Sequence, residues 1–344
     1  MAKKMLITGG AGFIGCNAAL YFINKGWDVT VFDNLSRAGT ENNLEWLKTK
    51  GKFQFVKGDI RKSEELEAAL STHFDFVLHL AAQVAVTTSV TNPREDFELN
   101  ALGTFNVLEA VKKTNKDAFV LFASTNKVYG KLEQLEVAEK NGRWDYKDFA
   151  SGVDEEMNLD FHSPYGCSKG AADQYVIDYS RIYNMKTCVF RQSCIYGTRQ
   201  FGIEDQGWVA WFTIASLLGE KLSIYGDGKQ VRDVLYVEDL VRAYEAAFDN
   251  RDKVSGHAFN IGGGRNNVLS LLELVDLLDK KLNIKLAPIW ADWRPGDQKV
   301  FICDISKIKK YTGWEPRTSA SKGVEHLIDW VKDNEQMLRS VLKK

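Results

Sequence analysis

Three times in this chain a tyrosine is followed four residues later by a lysine, at Tyr21/Lys25, Tyr165/Lys169 and Tyr225/Lys229. On a helix that spacing places phenol and ammonium on one face. A phenol beside a cation is a candidate acid–base group for taking a proton from a hydroxyl. Bringing it from about 10 to about 7 requires roughly 4 kcal/mol of preference for the phenolate. Spacing alone does not choose among the three pairs, so their neighbourhoods must. Tyr21 lies in the helix after a glycine-rich turn, where packing accounts for it, and Tyr225 runs straight into the turn Gly226-Asp227-Gly228. Tyr165 follows a helix entry at Ser163-Pro164, and upstream of it an apolar strand ends in Ser124-Thr125. Hydroxyls at the carboxyl end of a sheet strand face the crevice in which open α/β sheets bind ligands. Thr125, Tyr165 and Lys169 are therefore the candidate catalytic residues.

Removing that proton oxidises the carbon only if hydride leaves at the same time, and the chain carries a loop suited to a hydride acceptor. Gly9, Gly12 and Gly15 lie between the first strand and a helix that opens with Phe13 and Ile14. Glycine is needed there for a tight turn, for close approach of backbone to a pyrophosphate, and for close helix–strand packing. The helix start adds unpaired N–H groups and the positive end of a dipole. Asp33 ends the next strand, placed to accept hydrogen bonds from the adenosine ribose, with Asn34 beside it. A carboxylate there repels a 2′-phosphate, so NAD is expected rather than NADP, although Arg37 pulls mildly the other way. Asp59 and Ile60, after the third strand, are placed to meet the adenine, and capping of the following helix accounts for Asp59 nearly as well.

These residues need a rigid frame, and the pattern of the first half supplies one. KMLIT at 4–8, DVTVF at 28–32, FQFV at 53–56, DFVLHLA at 75–81 and AFVLFAS at 118–124 read as buried strands, with TCVFRQ at 187–192 a sixth. Between them lie segments with helical spacing, such as Leu66, Ala69 and Leu70, or Phe105, Leu108 and Val111. Alternation of this kind predicts an α/β fold, a doubly wound, Rossmann-like parallel sheet. Beyond about residue 193 shorter, aromatic-rich pieces and glycine turns predict a second, smaller substrate-binding lobe. The expected division is 1–192 for NAD, with 231–262 returning to it, and 193–230 with 263–344 for the substrate. The segment from Lys131 to Ser163 is long, charged and without periodicity, which suggests a lid or binding loop. A final helix is expected from about Ser319 to Leu338, with Val324, Leu327, Ile328 and Val331 inward.

Composition excludes several partners. A net charge of −1 over 344 residues offers no basic field for nucleic acid and no polybasic membrane patch. Five cysteines without a CxxC pair suggest neither a disulfide framework nor a zinc site, and are expected to be reduced cytoplasmic thiols; no metal is expected. With the first strand starting at Lys4, no signal peptide is expected, and the longest uncharged stretches, Phe76 to Pro93 and Gln206 to Gly219, are interrupted by polar residues or too short to span a bilayer.

Together the glycine loop, the Ser124-Thr125 strand end and Tyr165-xxx-Lys169 resemble the extended short-chain dehydrogenase/reductase family that acts on nucleotide sugars. The resemblance extends through His79-Leu80-Ala81-Ala82, Tyr196-Gly197, Arg232-Asp233-Val234 and Phe259-Asn260-Ile261-Gly262. It implies that Thr125 hydrogen-bonds the reacting hydroxyl, that Tyr165 is the base, and that Lys169 holds the ribose and lowers the tyrosine pKa. It also places Leu80, Ala81 and Ala82 against NAD and Arg232 and Arg294 on the sugar diphosphate, a role suited to guanidinium. Asn126, Lys127, Gln206 and Trp208 fall where relatives meet the substrate. Dehydratases of this family carry Asp-Glu after the Ser/Thr, whereas here Asn126-Lys127 follow, so dehydration is disfavoured. The strings 124–130, 160–170 and 205–209 resemble epimerases that invert C2 of a CDP-linked 3,6-dideoxyhexose, with Cys194 standing where many relatives have Asn. The implied partner is a CDP-sugar, and a homo-oligomer is expected through helices near 100–113 and 165–183. Rival readings are a UDP-hexose 4-epimerase with the same residues, a non-catalytic NAD-binding regulator and a simple dehydrogenase, whose signature would be stoichiometric release of NADH.

Overall fold

A computed structural model describes residues 2–204, 206–293 and 298–342. The strands in chain order are β1 (Lys4–Thr8), β2 (Asp28–Asp33), β3 (Gln54–Lys57), β4 (Phe76–His79), β5 (Phe119–Thr125), β6 (Val137–Lys140), β7 (Arg143–Tyr146) and β8 (Thr187–Gln192). They continue as β9 (Cys194–Tyr196), β10 (Ser223–Tyr225), β11 (Val231–Tyr236), β12 (His257–Ile261), β13 (Val268–Ser270), β14 (Ile289–Ala291) and β15 (Val300–Phe301).

Seven strands form one parallel sheet in the order β12-β8-β5-β4-β1-β2-β3. Its six N-terminal strands are those the apolar runs predict, and β12 is a seventh. The runs are continuous because both faces are covered. Met5, Ile7, Val31, Phe76, Phe119 and Phe190 face one side, packed with Phe22, Leu240 and Tyr244. Their alternates Leu6, Val77, Val120, Phe122 and Val189 face Leu108, Val111, Ala172 and Val176 on the other. Each such fully buried side chain contributes roughly 1.5–3 kcal/mol. Strand order reverses between β1 and β4, so the carboxyl ends of those two strands open the crevice that binds ligands in such sheets.

The segment 231–262 is divided. β11 pairs with β9, β13 and β15 in a smaller sheet, while the helix Val237–Asp249 and β12 return to the large one. The second lobe packs this small sheet and the pair β10–β14 with helices Trp208–Leu218, Leu271–Leu282 and Ala320–Asp333. The final helix is interrupted at Asn334, so a separate short helix, Glu335–Leu342, follows.

The segment 131–163 is no lid. It contains the hairpin β6–β7, turned by Asn141 and Gly142, both with positive φ. Asn-Gly is the pair such a two-residue turn favours. The hairpin is fixed to the second lobe: Trp144 Nε1 donates to Asp227 at 2.8 Å, Arg143 meets Glu273 at 2.9 Å, and Arg265 meets Asp145 at 2.5 Å. Val153 then exchanges backbone hydrogen bonds with Ile302 and Asp304. These anchors fix the segment to the second lobe.

Candidate active site

The cavity at the strand-order reversal is lined by the glycine loop, the ends of β2, β4 and β5, and the face of the helix Ser163–Tyr183 that carries Tyr165 and Lys169. Each glycine of the loop answers a different constraint. Gly9 has φ +69°, and a Cβ there would come within 2.7 Å of the Ala81 amide; one on Gly15 would meet the Gly9 carbonyl at 2.2 Å. Gly12 starts the helix Phe13–Asn24 without any side-chain cap. The first-turn N–H groups are thereby left to the cavity, which Phe13, Ile14 and Gly15 line. This cradle fits a dinucleotide: a β-carbon at any of the three would close on neighbouring backbone.

Asp33 is buried, which raises its pKa, and accepts hydrogen bonds from the amides of Ala11 at 3.0 Å and Leu35 at 2.8 Å. Each carboxylate oxygen keeps a second acceptor site for a ribose hydroxyl. Asn34, Ile60, Leu80, Ala81 and Ala82 also line the cavity. Asp59 is absent from the lining. Its carboxylate takes hydrogen bonds from Arg61 and, at 3.1 Å, from Asn34, and the Arg61 guanidinium holds it down at about 2. It does not cap the helix beginning at Ser63 either.

Of the three candidate catalytic residues Tyr165 and Lys169 line the cavity, with Ser124, and Thr125 lies beside Tyr165 without lining it. Tyr165 and Thr125 are both buried. Lys169 is only 3 % exposed and its Nζ donates to the Ala123 carbonyl at 2.5 Å, above the Phe122 ring. Burial pulls Lys169 down to about 7, against the fields of Asp173 and Asp96. Neither acid forms a direct ion pair with it. Asp173 is held bidentately by Arg191 at 3.0 Å and accepts from Ser124, while Asp96 accepts from Ser168 and Asn100. Ser124, which also lines the cavity, is thus bound to Asp173, and Thr125 is the hydroxyl beside Tyr165. His79, held between Thr8 and Thr104, is pushed down to about 3 by burial and stays neutral.

Burial also pushes Tyr165 up to about 12, with the nearby Thr125 hydroxyl opposing. A base poised near neutrality is therefore not a property of the protein alone. Residues that would hold NAD line the same cavity, and a bound cationic nicotinamide would favour the phenolate of Tyr165.

Residues expected to meet the substrate are split between two places. Gln206 lines the cavity and is hydrogen-bonded to Arg37. Lys127 and Arg232 both face Cys194, which burial raises and Arg232 lowers, and Trp208 contacts the same sulfur. Lys127 also reaches Gln298 at 3.4 Å, Arg232 is bound to the Val231 carbonyl at 2.8 Å, and Asn126 is buried beside Thr125. Arg294, and Asp205 of the 205–209 string, lie outside the described residues. Sequence reasoning missed part of the wall: Thr40 and Asn43 from the helix Thr40–Lys48, and Arg199, Gln200 and Phe201 from the loop after β9. No glycine motif or acid–base spacing marks those positions.

The sequence profile of the family described as GDP-mannose 4,6 dehydratase matches residues 6–327. The chain belongs to that family. Among the relatives of this member of the extended short-chain dehydrogenase/reductases is the CDP-paratose 2-epimerase of Salmonella typhi, 49% identical over 95% of this chain and 98% of that one. Among solved structures, the UDP-glucose 4-epimerase of Thermotoga maritima with UDP-glucose is 33% identical with a TM-score of 0.83, covering 96% of this chain and 99% of that one. The UDP-glucuronic acid 4-epimerase of Bacillus cereus, in complex with UDP-glucuronic acid and NAD, is 28% identical with a TM-score of 0.80 over the same shares.

Proposed function

We propose that this NAD-dependent nucleotide-sugar epimerase inverts C2 of a CDP-linked 3,6-dideoxyhexose, converting CDP-paratose to CDP-tyvelose. The observation that carries the proposal is that Tyr165, with Thr125 beside it, and Lys169 line the same cavity as the glycine loop, in a chain 49% identical to a CDP-paratose 2-epimerase. NAD, when bound, supplies the acceptor and later the donor of a hydride. Thr125 holds the C2 hydroxyl, Tyr165 takes its proton as the carbon becomes a ketone, and Lys169 favours the phenolate and holds the ribose. The 2-keto sugar then turns over within the site, and Tyr165 returns the proton as the opposite face is reduced. Lys127, Trp208 and Arg232, gathered around Cys194, with Asn126 and Gln206, hold the nucleotide sugar during that turn. Gly9, Gly12, Phe13, Ile14, Gly15, Asp33, Asn34, Ile60, Leu80, Ala81 and Ala82 hold the cofactor. Residues 1–192 with the returning helix and β12 carry NAD, and the second lobe carries the sugar nucleotide.

Dehydration would need a carboxylic acid and a carboxylate beside the sugar. Asn126 and Lys127 occupy those places, and Asp33, at the ribose end, is the one carboxylate among the described residues of the wall. The same triad serves a UDP-hexose 4-epimerase, and the 33% identity to one keeps that as the second reading. A CDP-sugar deuterated at C2 tests the cycle by mass spectrometry. The label is expected to stay in the inverted product; its loss to solvent would remove hydride transfer from the mechanism.

Two copies are expected to pair through helices Gly103–Thr114 and Ser163–Tyr183, which expose Phe105 and Tyr175 in edge-to-face contact at 5.9 Å, with Ile182 and Tyr183 nearby. An exposed apolar face of this kind marks an interface. Light scattering of Tyr175→Glu should show a shift to monomer, and an unchanged mass would place the contact elsewhere. Among the described residues no helix is long and apolar enough to cross a membrane, and a cytoplasmic site of action accords with five unpaired thiols.

A further inference from the structure

Arg199 is the least explained charge in the molecule. It is 4 % exposed, and the little that shows faces the dinucleotide cavity. Among the described residues its guanidinium has no hydrogen-bond or ion-pair partner, and its Nε is fully enclosed. What it does touch is apolar or weakly polar: the ring of Trp46 lies 4.3 Å below it and the buried Cys16 thiol stands beside it. A buried charge without a counter-ion is strongly destabilising, and proteins keep one only where something else compensates it.

The backbone shows that the side chain is held in this place. The loop after β9 bends over the dinucleotide lobe and is tied down by two amides. Asn17 Nδ2 donates to the Thr198 carbonyl at 3.0 Å, and Asn43 Nδ2 to the Arg199 carbonyl at 3.3 Å. Phe201 packs so tightly on Gly39 that a Cβ there would meet its ring at 2.2 Å. Arg199 itself adopts φ +67°, uncommon for a side-chain-bearing residue. The loop thus brings one guanidinium into the wall of the same cavity that the uncapped start of the helix Phe13–Asn24 lines. Among the described residues of the wall the charged groups are Arg37, Lys169 and Arg199 against Asp33. That balance suits a ligand with more than one negative charge.

We propose that Arg199 is a cofactor-binding residue, the counter-charge for the diphosphate of NAD, delivered by the loop after β9 to face the N-terminus of the helix Phe13–Asn24. The helix supplies N–H groups from one side and the guanidinium a fork of donors from the other, an arrangement guanidinium favours over ammonium. Two further sources could answer the same charge, the 2′-phosphate of NADP or stacking on adenine, and the probes are chosen to separate them.

The test uses Arg199→Met and Arg199→Lys, with binding of NAD, ADP-ribose, NADP and adenosine measured by calorimetry on protein stripped of nucleotide, and thermal unfolding with and without NAD. For Met, affinity for NAD and ADP-ribose should fall about ten- to a hundredfold, the effect of one charge-assisted hydrogen-bonding group. Adenosine, which lacks phosphate, should bind as before, and Lys should lose less than Met. Because Met removes an uncompensated buried charge, the stripped variant should melt above the stripped wild type while gaining less from added NAD. A residue with a purely structural role would lower both melting points. Unchanged NAD affinity, an equal loss for adenosine, or a loss confined to NADP would each overturn the assignment.

Discussion

Two helices of this protein carry the same tyrosine–lysine spacing, and of the two pairs it is Tyr165 and Lys169 that line the cavity of the glycine loop. Tyr21 and Lys25, on the helix Phe13–Asn24 and its C-cap, converge on Glu245. The carboxylate raises Lys25, and the lysine is half exposed. Tyr165 and Lys169 sit deep beside Thr125 with no carboxylate in direct contact, and burial pulls Lys169 down to about 7 instead. The first pair is satisfied within the protein and has nothing left to offer a substrate. The second is held in a state that a cationic cofactor and a hydroxyl would relieve. Residue type and spacing define what a pair can do; the counter-ions and water removed from it decide whether it does so.

The contrast can be broken by substitution. Tyr165→Phe should lower turnover about a thousandfold or more while the purified protein still binds NAD, whereas Tyr21→Phe should leave turnover within about twofold. Comparable losses in both would erase the distinction. Thr125→Ala should cost about ten- to a hundredfold, with Thr125→Ser restoring most of it, since one hydrogen bond to the reacting oxygen is at stake.

The lysines should differ in sign when stability is followed against pH. Lys169 falls from about 10.4 in the unfolded chain to about 7 in the folded one, so between those values the unfolded chain binds more protons and stability rises with pH. Its penalty is fully present below about pH 7 and gone above about 10.4. Lys169→Met should therefore stabilise by as much as a few kcal/mol at pH 6 and by almost nothing at pH 10.5, read from urea midpoints. Lys25 shifts upward, so its small stabilisation is present below the unfolded value and is lost as pH rises through the folded one. Lys25→Met should cost only a few tenths of a kcal/mol at pH 6, as befits an exposed pair. A parallel response of the two variants would contradict the account. The smallest effect expected is that of Gly142→Ala in the hairpin turn, about 1 kcal/mol of stability from its positive φ, with turnover unchanged.

Legibility in the sequence followed the range of the physics involved. The six N-terminal strands of the large sheet were readable because burial on both faces writes an unbroken apolar run into each. The glycine loop was readable because backbone approach admits no Cβ. The hairpin β6–β7 was hidden by charged neighbours, although Asn141-Gly142 carries its turn signal; the anchors that hold it, Asp227, Glu273 and Arg265, lie over 80 residues away in the chain. Asp59 drew attention by its position at a strand end, yet Arg61, two residues on, takes its carboxylate. Arg199 offered no signal at all, since its burial against Trp46 and the tethering of its loop by Asn17 and Asn43 are decided by how two lobes meet.

The most direct measurement is proton NMR of the purified enzyme with NAD, mixed in turn with CDP-paratose and UDP-glucose while absorbance of NADH is followed. Inversion at C2 of the CDP-sugar without accumulated NADH is the predicted result. Inversion at C4 of UDP-glucose with the CDP-sugar untouched would contradict the proposed substrate while leaving the acid–base site in place.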